Sequence, residues 1–272
     1  MILAFMAAAV ATVTPATAQQ AIETAQQGAV IKLAPGRYGR VMIVRKTWSR
    51  PITIDASGAS LTLNIVASRG VNIRGGTFTG ALGQGGEGYA VLVRQSSNVA
   101  FENVAISSSI RGMVIDRSTD VRVTRAMLTD MRIDGVNIAS SQRVTITDSS
   151  CSAFNTGEAH PDCIQMWSSP KYGVTQDVTL LRNRSDGNMQ GFTAFNHVRD
   201  GVDDGGFDRI TIADSWARGQ YAWGVAVFDC RNCVIRNNRG ETPAGARHAV
   251  VVRATRCTNC TVTGNVDGRR PR

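Results

Sequence analysis

Short apolar runs recur along the chain from about residue 89 onward, each usually opening just after a glycine. They are Val91-Leu92-Val93, Met113-Val114-Ile115, Val136-Asn137-Ile138, Ile164-Gln165-Met166, Phe192-Thr193-Ala194, Val225-Ala226-Val227 and Val250-Val251-Val252. Their starts lie 22, 23, 28, 28, 33 and 25 residues apart. A second series follows, with apolar and polar residues alternating from Asn98, Asp120, Arg143, Asp177, Arg209, Asn232 and Asn259. A period of two is the signature of a strand with one buried face. Between strands there is no stretch of period 3.6 long enough for a crossover helix, so a doubly wound α/β sheet is excluded.

A unit of about 22 residues that grows only in one loop predicts a parallel β-solenoid, each coil stacking on the last. The pattern predicts two strands and an Asn, Asp or Arg edge per coil. Asn183, Asn238 and Asn265 fall at one place after the second strand, where stacked amides would cap a turn. The segment Gln19 to Gln27 reads as an amphipathic helix covering the open N-terminal end, since an uncovered edge invites pairing with another chain. The fold class is all-β, a single domain over 19–272 with an N-terminal capping helix. Ahead of it, the apolar run Ile2 to Val13, then Pro15 and Ala16-Thr17-Ala18, reads as a signal peptide over 1–18. The expected location is secreted or periplasmic. No later segment is long and apolar enough to span a bilayer.

Alternation assigns side chains to faces. With the first residue of each apolar run pointing inward, an outward column holds Tyr89, Arg111, Asp134, Asp162, Gln190, Trp223 and His248. A second holds Leu92, Val114, Asn137, Gln165, Thr193, Ala226 and Val251, and a third Arg94, Asp116, Ala139, Trp167, Phe195, Phe228 and Arg253. Asp134, Asn137, Asp162, Gln165, Gln190 and Thr193 then form a polar block on three coils. Trp167, Phe195, Trp223 and Phe228 flank it with aromatic surface, as a sugar-binding groove would require. Asp134 and Asp162 stack about one strand spacing apart, near 5 Å. Like charges that close raise one another's pKa unless a cation such as Ca²⁺ lies between them.

The sharpest local motif is Gly157-Glu158-Ala159-His160-Pro161-Asp162-Cys163-Ile164-Gln165-Met166-Trp167. His160 and Asp162 are expected on the same side, the carboxylate orienting the imidazole as a general base. His197, at the end of the next coil's strand, is a second candidate. The formal charge of +9 adds a preference for polyanions. Export makes nucleic acid the least fitting of these, leaving an acidic polysaccharide as the expected partner of a monomer.

Along nearly the whole mature chain the pattern resembles the pectate-lyase superfamily of right-handed parallel β-helices. Ile31-Lys32-Leu33-Ala34-Pro35-Gly36-Arg37-Tyr38 and Pro51-Ile52-Thr53-Ile54-Asp55 are similar to the opening of such helices. Asp134-Gly135 and Asp162-Cys163-Ile164 resemble the catalytic strands of polygalacturonases, which implies water activation by Asp134 and Asp162. Pro161 stands where that family's general acid would be. The His-Pro-Asp-x-Ile-Gln segment resembles bacterial polysaccharide-active β-helix proteins. It is also similar, in reversed order, to a motif of mannuronan epimerases and alginate lyases. That resemblance implies proton removal beside a uronate carboxylate. His160 would be the base, oriented by Asp162, with Gln165, Gln190 and Arg132 on the uronate and Lys171 or Tyr172 as proton shuttle. The alternatives are a polygalacturonase-like hydrolase and a non-catalytic glycan-binding or adhesive solenoid.

Six cysteines remain. Cys230-Arg231-Asn232-Cys233 and Cys257-Thr258-Asn259-Cys260 occupy equivalent places on neighbouring coils. Stacking puts Cys230 over Cys257 and Cys233 over Cys260 within disulfide range. An exported chain with an even count favours disulfides or a buried thiol ladder, and zinc is the alternative use of paired CxxC units. A Cys151–Cys163 bridge would brace the His160 loop.

Overall fold

The computed structural model describes residues 10–82, 88–157 and 160–269. Apart from one short antiparallel hairpin, Val198–Arg199 with Val202–Asp203, every strand pairing is parallel, and each coil stacks on the one before it. A representative coil runs through Arg111–Asp116, Thr119–Thr124 and Met127–Met131 and returns to Val136–Ala139, directly beneath its start. The expected solenoid is therefore present, with three strands per coil rather than two.

The third strands, such as Ala105–Ser109 and Ser150–Ser152, escape a pattern search for a physical reason. Each buries only one or two side chains before the chain turns, too few for alternation to register.

Inward side chains from the three faces fill one continuous core of Ile, Val, Leu and Phe, in which Phe78 and Phe101 meet edge to face at 6.4 Å. The edge residues of the second strands have a specific task. Asn98, Asp120, Arg143, Asp177, Arg209, Asn232 and Asn259 all adopt left-handed backbone, with φ between 52° and 58°. Asn and Asp tolerate this region best among non-glycine residues. The arginines there are held by their neighbours: the Arg143 guanidinium donates to Asp120 at 2.7 Å, and that of Arg209 to Asp177 at 2.5 Å.

Turns are also tied from coil to coil by side-chain ladders. Backbone N–H groups of Ser68, Ser96 and Ser118 donate to the hydroxyls of Ser96, Ser118 and Ser141. On the opposite corner Ser149, Asn183, Ser215, Asn238 and Asn265 are linked in the same way, at 2.9–3.0 Å. The three asparagines do share one column, but Ser215 lies between Asn183 and Asn238.

Three expectations need correction. The capping helix spans Ala18–Glu23, shorter than Gln19 to Gln27, because the chain turns back through left-handed Gly28 (φ 75°) to pair with the next coil. It does close the core, with Ala18 and Ile22 buried. The last coil is displaced by two residues. Val225 pairs with Val252, not Val250, across a β-bulge, so exposed His248 lies outside the strand Val251–Thr255 and does not stack on Trp223. The bridge near the C-terminus joins Cys230 to Cys233 within one coil, and Cys257 and Cys260 are free thiols. The left-handed turn at Asn232 brings the two inward-pointing sulfurs together, so pairing within the coil displaces pairing across coils. Among the described residues no group of three or more His, Cys, Asp or Glu is placed to hold a metal ion. Within the expected leader, Val10–Val13 pairs in parallel with Val30–Leu33.

Candidate functional site

The first face carries Tyr89–Arg94, Arg111–Asp116, Val136–Ala139, Asp162–Trp167, Gln190–Ala194 and Trp223–Phe228 in unbroken parallel order. Its registers match the sequence columns: Asn137 pairs with Gln165, Gln165 with Thr193, and Asp162 with Gln190. Small residues Gly112, Gly135, Cys163, Gly191 and Gly224 line the column beside them. At Gly135 a Cβ would stand 2.5 Å from the Cys163 carbonyl oxygen, so only glycine allows the coils to close there.

The polar block is assembled but covered. Asp134, Asn137, Asp162, Gln190 and Thr193 are all buried, and Gln165 alone of the six is partly exposed. The sequence reading left them facing solvent, and their burial corrects it. The disulfide from Cys151 to Cys163 closes the segment between the two coils and pins it at the face. Residues 158 and 159 lie outside the described residues.

Each carboxyl has defined partners. The Asp162 backbone N–H donates to Asp134 Oδ1 at 3.0 Å, and Asn137 Nδ2 donates to Asp134 Oδ2 at 2.9 Å. Arg111 Nε stands 3.8 Å from the same Oδ2. Thr193 Oγ1 donates to Asp162 Oδ1 at 2.7 Å, while Asp162 Oδ2 is buried with no hydrogen-bond partner among the described residues. Burial, and then the neighbouring Asp134 charge, push the Asp162 carboxyl well above the ordinary carboxylate range. Burial raises Asp134 as well, against the hydrogen bonds from Asn137 and Asp162 and the charges of Arg111 and His160. The pair thus holds a proton where free carboxyls would have lost theirs. Asp134 and Asp162 have no third His, Cys, Asp or Glu placed with them among the described residues to complete a calcium site.

His160 is exposed at the rim. Its Nε2 contacts Gln190 Nε2, and its ring meets Tyr221 edge to face at 5.5 Å. Among the described residues Asp162 takes no hydrogen bond from His160, so Gln190 and Tyr221, rather than Asp162, orient the imidazole. Asp162 is buried whereas His160 is exposed.

Other expected members are placed elsewhere. Arg132 is exposed and donates to the Leu82 carbonyl at 3.0 Å, away from the block. Lys171 and Tyr172 lie on the exposed turn after Trp167, where the Lys171 ammonium and Arg117 guanidinium stack on the Tyr172 ring. His197 pairs with Asp204 at 3.4 Å beside the short hairpin. Of the aromatic flank, Phe195, Trp223 and Phe228 form one ring cluster with centroids 5.2–6.3 Å apart, while Trp167 stands outside it, partly exposed. Arg111 and Tyr221 are the additions the structure makes. Arg111 lies in the first outward column, so its place could be read from spacing; Tyr221 lies in a loop and carries no periodic signal.

A three-stranded parallel coil repeated along one axis defines the β-helix class. Residues 61–268 match the family described as right handed beta helix region, and the chain belongs to that family. Among solved structures it is similar to a surface adhesin of Streptococcus pneumoniae, PfbA, at 14% identity and TM-score 0.65, covering 94% of this chain and 76% of that one. It is also similar to a polygalacturonase from Erwinia carotovora ssp. carotovora (12% identity, TM-score 0.57, 100% and 99% covered). An alginate lyase from Paenibacillus sp. str. FPU-7 aligns at 14% identity and TM-score 0.54, covering 94% and 98%. At these identities the likeness is one of fold. No curated protein matches the sequence.

Proposed function

We propose that the protein is an exported, monomeric, polysaccharide-active enzyme that removes the proton beside a uronate carboxylate in an acidic glycan, as a lyase or a C5-epimerase. The observation that carries the reading is His160: an exposed imidazole fixed by Gln190 and Tyr221 on a face whose Asp134 is within reach of the charges of both His160 and Arg111. The alginate lyase and the polygalacturonase that share the fold agree with a polysaccharide substrate.

In this reading neutral His160 takes the C5 proton. The electron pair left behind spreads into the substrate carboxylate, where the partly exposed Arg111 guanidinium offsets the developing charge. For a lyase, that pair forms the C4–C5 double bond as the C4–O bond breaks, and the Tyr221 hydroxyl protonates the leaving oxygen. For an epimerase, C4–O stays intact and a proton from solvent returns to C5 on the face opposite His160, because Tyr221, in ring contact with His160, stands on the same side as the base. Asp134 and Asp162 are positioning residues here. Both are covered and bonded to protein donors, which leaves no path for the water activation that a hydrolase would ask of them.

The test is incubation with polygalacturonate, polymannuronate and polyguluronate, following ultraviolet absorbance of the unsaturated product and solvent-deuterium incorporation together. Absorbance identifies a lyase, and exchange without absorbance an epimerase. Replacing His160 by Ala is expected to lower either activity by about 10²–10⁴-fold with the fold unchanged by circular dichroism. Full activity in that variant, or new reducing ends without either signal, would sink the reading.

A further inference from the structure

The second face of the solenoid, remote from His160, carries the strands Arg69–Arg74, Ser97–Glu102, Thr119–Thr124 and Gln142–Thr147 in parallel order. Asn72, Ala100, Arg122 and Thr145 stack there as one outward column. Ala100, between an asparagine and an arginine, leaves a gap in that column. The result is a trough of about 620 Å³ whose lining includes Arg69, Asn72, Asn98, Ala100, Arg122 and Thr145. A second hollow of about 290 Å³ adjoins it across Asn72, Ala100 and Arg122.

Charge on the trough is unevenly satisfied. Asp120 and Asp177, which also line it, are neutralised by Arg143 and Arg209. Arg69 and Arg122 are exposed, and among the described residues their guanidinium groups form no ion pair or hydrogen bond. The side chains of Asn72, Asn98 and Thr145 likewise form none with other described residues.

We propose that this trough is a second binding site, separate from the His160 face, for an acidic oligosaccharide lying along the solenoid axis. One coil advances about 4.8 Å, close to the length of one sugar in an extended chain, so such a ligand meets one coil per residue. Arg69 and Arg122 stand two coils apart and in different columns, Arg69 aligning with Ser97 and Thr119 and Arg122 with Ala100 and Asn72, so they offer the acidic chain a cation on either edge of the trough. The free amides and the Thr145 hydroxyl serve the sugar hydroxyls, and the missing side chain at Ala100 makes room for a ring. The site would hold polymer without acting on it and keep the chain local to the catalytic face. The proposal rests on the reading that the glycan is acidic, but not on turnover.

Titration calorimetry with hexamers of galacturonate and mannuronate, and with cellohexaose as neutral control, tests it. We expect acidic hexamer to bind with a second site that weakens as salt rises and that cellohexaose does not occupy. Arg69→Glu with Arg122→Glu, and separately Ala100→Trp, should each weaken that site at least tenfold and leave turnover of short substrates unchanged. An inactive His160→Ala protein should keep it, so failure of the catalytic reading and failure of this one are seen apart. Unchanged binding in both trough variants, equal binding of cellohexaose, or no binding of either acidic hexamer would overturn the proposal.

Discussion

Asp162 is the residue at which environment most alters chemistry. Its folded-state pKa is raised, so the folded protein keeps a proton that the unfolded chain releases near the ordinary value of 3.8. The sign follows from linkage: the contribution to stability is full below that value and declines as pH rises through the window up to the raised pKa. Asp162→Asn removes the titration and keeps the shape. We expect its stability relative to the parent to improve as pH rises across that window, by at most about 1.4 kcal/mol per pH unit, measured by urea unfolding at several pH values. A constant difference between the two proteins would show that Asp162 ionises freely. Tyr221→Phe tests the other rim residue: it keeps the ring against His160 and removes the hydroxyl, so in a lyase proton delivery should fall while substrate binding holds.

Single elements fix how the face closes. Gly135→Ala places a methyl against the Cys163 carbonyl, and a loss of about 1–3 kcal/mol is expected from such overpacking, read as a lower denaturant midpoint. Opening the Cys151–Cys163 bridge by Cys151→Ser should cost roughly 2–4 kcal/mol and reduce activity further than Gly135→Ala, because it frees the segment carrying His160. Much at this scale was legible in the sequence. The apolar runs located the strands of the first face, and their spacing put Asp134, Asn137, Asp162, Gln165, Gln190 and Thr193 in true register. Strand period fixes which way a side chain points but not what covers it, so the depth of Asp134 and Asp162 was hidden. The Cys151–Cys163 bridge was anticipated, but the same limit misplaced the pairing of Cys230 and Cys233 and the position of His248: one depends on a left-handed turn, the other on a bulge, and neither leaves a periodic trace. Tyr221 and the third strands lie in segments too short to have a period at all.

For the whole molecule, the +9 charge and a fold whose long faces run along one axis favour an extended polyanion over a compact ligand. Affinity for polygalacturonate should therefore drop steeply between low and physiological salt in an affinity-electrophoresis series, whereas binding insensitive to salt would remove charge from the account. The extent of the leader also belongs here. If residues 1–18 are a signal peptide, a cut after Ala18 would take away the strand Val10–Val13 that now covers the edge at Val30–Leu33, and N-terminal sequencing of the protein isolated from its source will say whether that strand is kept.

The left-handed turn columns reach further than the local contacts they make. Four successive members of one are Asp120, Arg143, Asp177 and Arg209, and four of the other Arg125, Asp148, Arg182 and Asp214, so over those coils sign alternates at both corners, with asparagines on either side. Coils are therefore not interchangeable beads. Copying residues 119–141 in tandem would set Asp120 against its own duplicate and Arg125 against its own, whereas copying 119–175 would preserve the alternation. The shorter duplication should melt lower, with the gap narrowing in high salt. If so, the chain is a two-letter polymer with parity: its natural increment of growth is a pair of turns, and lineages that lengthen it are expected to do so in even steps.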